Sequence, residues 1–308
     1  MIKDTMKREN ANRICAIVVT FNRLDMLQQC INALLLQTVQ CDVLVVDNCS
    51  NDGTFEYLSS LSETEPRLRF FKTEKNIGGA GGFNFGMKKA VEIGYEYVWL
   101  MDDDCICEPD CLEKFICADG LLKGNYGYLS SAVMWKDDTE CIMNRQKISK
   151  KYYEDLSLLK EGIIRVEQST FVSLFVPKQT ISRIGFPIKD FFIWGDDIEF
   201  TRRITVRNKI ESYLVGNSCV HHLTKTNVGS NIATDEIDRI SRYEYAFRNE
   251  AFLYRKEGLF GIMYYCGKRA RDLIRIVLSS KNNRFKRFSA LMKGVFRGLI
   301  FNPEIEKL

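Results

Sequence analysis

The chain has 308 residues, 45% of them hydrophobic and 27% charged, with a formal net charge of +4. This is the balance of an ordinary globular protein, long enough for one large α/β domain with an appendage or for two modest domains. Residues 1–10 are polar and lack the apolar core of a signal peptide, no stretch is apolar for long enough to span a membrane, and the eleven cysteines therefore point to a cytoplasmic, reducing compartment.

Residues 14–20 are a β-rich apolar run that ends in Phe21, Asn22 and Arg23. A helical pattern follows at Leu24, Leu27, Ile31, Leu34 and Leu35, at spacings of three and four. Residues 43–46 read as a second buried strand closing on Asp47 and Asn48, and Asn51-Asp52-Gly53-Thr54 supplies turn and helix-start chemistry. A third strand at 68–72 leads to Asn76-Ile77-Gly78-Gly79-Ala80-Gly81-Gly82-Phe83, which opens a helical stretch reaching Ile93. The fourth strand, 97–101, runs straight into Asp102, Asp103 and Asp104. Three adjacent carboxylates at the end of a buried strand repel one another and need compensation. A hard divalent cation is the usual one; a solvated acidic turn is the alternative.

Strand and helix alternate with short connections, which predicts a parallel sheet wrapped by helices. Each strand delivers polar residues at its carboxyl end: Thr20 and Asn22, Asp47, Asn76, and the acid triplet. In open α/β sheets that edge is where ligands bind, and four such clusters describe a crevice for a nucleotide-sized ligand. The dinucleotide fingerprint G-x-G-x-x-G does not follow the first strand, and no P-loop pattern occurs. The glycines at 78–82 can face a phosphate or sugar with their amides, or simply serve a turn and close helix packing.

Beyond residue 126, strands are predicted at 126–135 and 163–170, with a charged stretch at 136–161 between them and a further buried segment at 171–177. Trp194-Gly195 then turns into a helix whose first residues are Asp196 and Asp197. Acids there suit the helix dipole as a plain cap; an aromatic face beside an acid pair also suits a sugar, with a carboxylate taking a hydroxyl proton. His221 and His222, the two histidines of the chain, follow a predicted strand at 212–215 and precede a polar loop at 224–231. Either one fills the core, or it completes a metal shell begun by the acid triplet. Cys105, Cys107, Cys111 and Cys117 show no paired C-x-x-C spacing and read as small core hydrophobes. After Asp235 the pattern is helical, and residues 259–301 interleave basic and apolar side chains. That suits an interfacial helix on anionic lipid, or a solvated appendage in a homo-oligomer. No nucleic-acid motif is present.

Taken in order, Val18-Val19-Thr20-Phe21-Asn22-Arg23, Val45-Val46-Asp47-Asn48, Asn76-Ile77-Gly78-Gly79, Asp102-Asp103-Asp104 and Gly195-Asp196-Asp197 give the chain a specific likeness. It resembles the inverting nucleotide-sugar glycosyltransferases of family 2, with the GT-A fold, over residues 14–222. The galactofuranosyltransferase branch is most similar; bacterial rhamnosyltransferases are close, and Tyr245-x-x-Arg248-Asn249 is reminiscent of both. The resemblance implies that Thr20, Asn22 and Asp47 hold the donor's base and ribose, with Arg23, Asn76, Gly78, Gly79, Asp102 and Asp103 along the donor. It further implies that Asp102 and Asp104 bracket Mn²⁺ or Mg²⁺ with His221 or His222 as a further ligand. Trp194 and Asp196 would then face the acceptor, and Asp197 would be the catalytic base.

The expected activity is metal-dependent, inverting transfer of galactofuranose from UDP-galactofuranose to a hydroxyl of a growing cell-surface or lipid-linked glycan. Transfer of rhamnose from dTDP-rhamnose is the alternative enzyme, and a catalytically silent nucleotide-sugar-binding partner the alternative of another class. The expected division is a GT-A domain at 1–235 and a basic helical region at 236–308, the latter holding the protein at the inner membrane face or joining subunits.

Overall fold

The computed structural model describes residues 14–308, so the polar stretch at 1–10 lies outside the described residues. Strand β1 (Ile14–Thr20) is buried at every position, as its unbroken apolar run requires. It pairs in parallel with β2 (Asp42–Asp47) on one side, while β3 (Leu68–Lys72) extends the sheet beyond β2 and β4 (Tyr97–Asp102) lies against the other side of β1. The intervening crossovers are α1 (Leu24–Leu35), α2 (Thr54–Thr64) and α3 (Gly78–Ile93). Alternate β1 residues feed two cores. Ile14, Ala16 and Val18 pack with Leu27, Ile31 and Leu34 of α1, whereas Cys15, Ile17 and Val19 pack with Phe83, Met87 and Ala90 of α3.

The glycine run at the start of α3 is partly a packing device. A Cβ on Gly82 would lie 2.5 Å from Val19 Cγ1, and one on Gly86 would lie 2.6 Å from Ile17 Cγ2. Only hydrogen fits there, so α3 settles close onto β1.

The chain continues through β5 (Cys105–Cys107), α4 (Cys111–Leu122), β6 (Leu129–Trp135), β7 (Lys147–Ile148), α5 (Leu156–Lys160), β8 (Ile163–Gln168), β9 (Leu174–Pro177), α6 (Lys178–Ile184), α7 (Asp196–Arg202) and β10 (Tyr213–His222). The sheet order is β3-β2-β1-β4-β9-β6-β10-β8-β7, with β5 paired to the end of β10. β9 is antiparallel to both β4 and β6, and β10 runs parallel to β6. The first strands are therefore parallel, as predicted, and the later ones mixed.

β10 is longer than the predicted 212–215. A register shift between Val215 and Cys219 lets it continue through His222, so the polar Gly216-Asn217-Ser218 marks a bulge rather than a strand end. Cys105, Cys107 and Cys111 are free, buried thiols, while Cys117 is free and exposed.

Three helices follow: α8 (Arg242–Arg255), α9 (Leu259–Ser279) and α10 (Arg284–Ile300). α10 lies close on α8 because Gly294 and Gly298 sit at the contact, where a Cβ would come within 2.7 Å of Phe247 Cβ and 2.5 Å of Ala251 Cβ. After α10 the chain turns back toward α3 and the loop before α7. Phe301 packs near Phe191 and Phe252, and Glu306 takes a hydrogen bond from Asn84 and ion pairs from Lys88 and Lys189. Among the described residues, no helix is long and apolar enough to cross a membrane.

Candidate active site

The carboxyl ends of β1, β2 and β4 form one polar edge. Thr20 donates to Asp103 Oδ2 at 2.7 Å, and Arg23 reaches Asp103 Oδ1 at 3.1 Å and Asp104 Oδ2 at 2.8 Å. The acid triplet is thus compensated in part by its own chain, and Asp103 has both oxygens engaged. Burial still pushes the Asp103 carboxyl up to about 6, with Arg23 and Thr20 opposing.

Asn22, at φ +54°, ties two loops together. Its N–H donates to Ser50 Oγ and its Oδ1 accepts from Asn51 N, each at 2.9 Å. Asp47 is buried; Oδ1 accepts from Ser50 N at 2.8 Å, while Oδ2 has no hydrogen-bond partner among the described residues and Lys72 Nζ lies 3.8 Å away. A buried carboxylate oxygen left open in this way is a natural acceptor for a ligand hydroxyl or N–H.

Asn48, read from the sequence only as a polar strand end, organises the glycine loop. It donates to Asn76 Oδ1 and to the Gly78 carbonyl, both at 3.1 Å, and accepts from Ile77 N at 2.9 Å. Gly78 has φ +76°, and a Cβ there would strike the Phe192 carbonyl oxygen at 2.0 Å. Around Gly79 there is open space instead.

Strand register decides which histidine joins the acids. His222 pairs opposite Cys105, and Leu223 N donates to the Asp104 carbonyl at 2.9 Å. This sets His222 Nε2 3.0 Å from Asp104 Oδ1. Adjacent strand residues point to opposite faces, so His221 turns away, toward Asp138 Oδ1 at 2.8 Å and Glu108 at 3.4 Å. Of the two histidines named in the sequence, the structure brings His222 to the acid triplet and leaves His221 elsewhere.

Asn144, which the residue patterns did not single out, orients the ring. Its Nδ2 donates to Thr170 Oγ1 at 3.0 Å, so its Oδ1 is the acceptor that meets His222 Nδ1 at 2.7 Å. The Nδ1 proton is fixed and Nε2 faces Asp104. Burial works against a charged ring here, but the Asp104 carboxylate outweighs it and holds the His222 pKa up at about 10. Reciprocally, burial would raise Asp104, and the His222 hydrogen bond and charge together with Arg23 hold it below the ordinary value.

Asp104, Cys105 and His222 each offer a ligand atom, all within 4.8 Å of one another. Cys105 offers sulfur, a soft ligand poorly matched to a hard cation, and burial with the neighbouring Asp104 and Asp102 charges keeps its thiol well above its ordinary pKa. Burial and the Asp104 charge push Asp102 up to about 6, a repulsion that a cation between the carboxylates would relieve. Asp104 and His222 offer a carboxylate oxygen and an imidazole nitrogen, donors of the kind Mn²⁺ or Mg²⁺ accepts, the ring once its Nε2 proton is displaced.

The second acid set arrives through a contorted loop. Phe192 has φ +63° and ψ −61°, and Ile193 N donates to the Phe191 carbonyl across it at 2.7 Å. This is the strained, rare form of the γ-turn. Trp194 follows at φ +64° and Gly195 at φ +87°. Such non-glycine conformations cost on the order of 1–3 kcal/mol each.

Trp194 is not an open platform. Its ring meets the edge of Tyr243 at 5.0 Å, and the Arg239 guanidinium lies over it at 5.4 Å. α7 then begins with Asp196 and Asp197. Burial pushes Asp197 up to about 6, opposed by the Ile198 N–H on Oδ1 at 2.7 Å. Asp196 is raised further by burial and the Asp197 charge. Asp102 feels the Asp197 charge and Asp196 feels that of Asp102, so the two acid sets share one electrostatic environment.

Residues 15–174, more than half of the chain, match the family model described as Glycosyl transferase family 2. Galactofuranosyltransferase GlfT1 of Mycolicibacterium smegmatis is 25% identical over 304 residues, covering 89% of this chain and 98% of the relative. The protein of the same name from Mycobacterium tuberculosis is 29% identical over 211 residues, covering 62% of this chain and 64% of the relative. Among solved structures, GalNAc-T7 with UDP, GalNAc and Mn²⁺ superposes with a TM-score of 0.62 at 12% identity, over 80% of this chain and 48% of that one. S. aureus TarS 1-349 in complex with UDP gives a TM-score of 0.51 at 14% identity, over 94% of this chain and 72% of that one. This chain thus matches about half the length of the GalNAc-T7 chain, and at these identities both structures speak to the fold alone. With the strand-end motifs gathered on one edge of a GT-A sheet, and the family match running through them, the chain is a glycosyltransferase and belongs to family 2.

Proposed function

We propose that the protein transfers galactofuranose from UDP-galactofuranose to a hydroxyl of a bacterial cell-surface or lipid-linked glycan, with inversion at the anomeric carbon. The observation that carries this reading is the Asp104–His222 contact at the end of β4, with Asp102 there in electrostatic reach of the Asp196–Asp197 pair. The two relatives named as galactofuranosyltransferases support the choice of sugar.

A sugar hydroxyl is a poor nucleophile near neutral pH, so a positioned carboxylate must take its proton as attack develops. Asp197 fills that role, and a carboxyl poised at about 6 is ionised at neutral pH yet basic enough to accept the proton. The open Asp47 Oδ2 and the nearby Asn22 receive the nucleoside, and the Asn76–Gly79 segment lies along the diphosphate and sugar. Asp102, Asp104 and His222 would hold Mn²⁺ or Mg²⁺, which would supply Lewis-acid stabilisation of the charge gathered on the departing diphosphate. Asp196, next to the base, faces the acceptor.

The catalytic unit is assigned to residues 1–235. The region 236–308 is assigned to an anionic membrane surface at the inner face of the cell membrane. Exposed Phe260, Phe285, Phe296 and Ile300 support the second assignment. So does a shallow cleft of about 430 Å³ lined by Phe288, Met292, Lys293 and Arg297 among others.

The test is a calorimetric titration with UDP-galactofuranose, UDP-galactopyranose and dTDP-rhamnose, each with Mn²⁺ and with chelator. Metal-dependent binding of UDP-galactofuranose above the others, with UDP released on adding an octyl galactofuranoside, is the expected result. Preference for dTDP-rhamnose overturns the donor, and binding without turnover makes the protein a silent binder.

A further inference from the structure

We propose that Arg248 and Asn249, on α8, are positioning residues that hold Asp197 in its working place by clamping the strained loop in front of it; this rests on Asp197 being the base. Asn249 is fully buried, and its side-chain Nδ2 lies 3.0 Å from the Phe191 carbonyl, 3.2 Å from that of Ile193 and 2.8 Å from that of Trp194. Three carbonyls of one short loop converge on a single amide nitrogen. They do so because the backbone passes through the γ-turn at Phe192 and the left-handed residues Trp194 and Gly195, which turn the carbonyls of Phe191, Ile193 and Trp194 to one side and leave that of Phe192 on the other.

The orientation of the amide is unambiguous. Reversed, it would set an acceptor oxygen against three acceptors. Arg248 fixes it from the other end, donating to Asn249 Oδ1 at 3.0 and 2.9 Å and to the carbonyls of Asp190 at 2.7 Å and Phe191 at 3.2 Å. Its guanidinium lies over the Phe301 ring at 4.0 Å, so the returning C-terminal segment backs the clamp.

The opposite side of the loop touches the donor-side glycines. Ala80 N donates to the Phe192 carbonyl at 3.2 Å, where Gly78 leaves no room for a Cβ. Loop 191–195 is therefore wedged between the glycine segment and α8, and Asp196 and Asp197 follow it directly. Strained backbone persists only where its surroundings over-determine it. Release of the clamp lets the loop relax, and displacement of a base by about 1 Å is enough to cost roughly 100-fold in rate.

The test compares wild type with Asn249→Asp, Asn249→Ala and Arg248→Lys, using UDP-galactofuranose with Mn²⁺ and octyl galactofuranoside. Asn249→Asp keeps the size and the Arg248 contact but removes the donor. The expected result is a kcat lower by about 100-fold with donor KM within about threefold, and Arg248→Lys falling between it and wild type. Faster amide hydrogen exchange across residues 191–197 should accompany the loss. Unchanged exchange in a folded variant shows that the clamp does not hold the loop and overturns the proposal. So does faster exchange with an unchanged kcat, or a loss of thermal stability alone. If the Asn249 variants fail to fold, Arg248→Lys decides by the same two readouts. A wild type that binds donor but never transfers it sinks the base assignment instead, and exchange still reports whether the clamp exists.

Discussion

Asp197 is the residue on which the proposed chemistry turns. Asn at this position keeps the size and the contact with Ile198 N–H but cannot take a proton, so Asp197→Asn should lower kcat by about 10²–10⁴-fold. Calorimetric affinity for the donor should stay near wild type; equal turnover in the two proteins would remove Asp197 from the mechanism. The pH dependence has a definite sign. Burial raises this carboxyl to about 6, and only its ionised form can act as a base. The rate should therefore fall as pH drops through 6 and level off above it, and Asp197→Asn should lose that acidic limb.

Helix packing supplies a sharper test of the glycines. In α10, alanine has the better helix propensity, by about 1 kcal/mol over glycine. At Gly298, however, a Cβ would lie 2.5 Å from Ala251 Cβ, which has no rotamer by which to move aside. Overpacking of this kind costs about 1–3 kcal/mol and should win. We expect Gly298→Ala to lower the thermal midpoint, and a midpoint equal to or above wild type would show that α8 and α10 separate freely. At the level of elements, period and composition foretold β1 to β4 and their helices well, because β1, β2 and β4 are near-continuous buried runs and α1 buries one apolar face, while the edge strand β3 is only partly covered. The extension of β10 escaped because a bulge admits Gly216-Asn217-Ser218, residues that elsewhere end a strand.

Across the whole molecule, the returning segment after α10 ties the C-terminal helices to α3 and to the segment around Lys189. Glu306 is the anchor: Lys189, Lys88 and Asn84 overcome its burial and hold its pKa at about 2, below the ordinary 4.5. A carboxyl depressed in the folded state contributes stability that is complete above 4.5 and lost as pH falls toward 2. The difference in thermal midpoint between wild type and Glu306→Gln should thus be largest above pH 4.5 and close on acidification. A gap that stays constant down to pH 2 would mean that the ion pairs do not hold the segment.

The amino-acid sequence by itself determined the alternation of strand and helix, the polar residues at the strand ends and the two acid sets. Those features are local: a buried strand must be apolar, and a strand-end motif is contiguous in the chain. What only the tertiary structure decided lies between segments far apart. Opposite faces of one strand separated His222 from His221, and the pairing of β5 with β10 brought it to Asp104. Asn144 carries no signal of its own, and Asn48 and Asn249, though quoted in the motifs behind the family likeness, do not announce what they hold, since an asparagine in a loop or helix looks like any other until the carbonyls and side chains it serves arrive from elsewhere. Their hydrogen bonds to Gly78, His222 and Trp194 depend on register and packing, which no local pattern encodes.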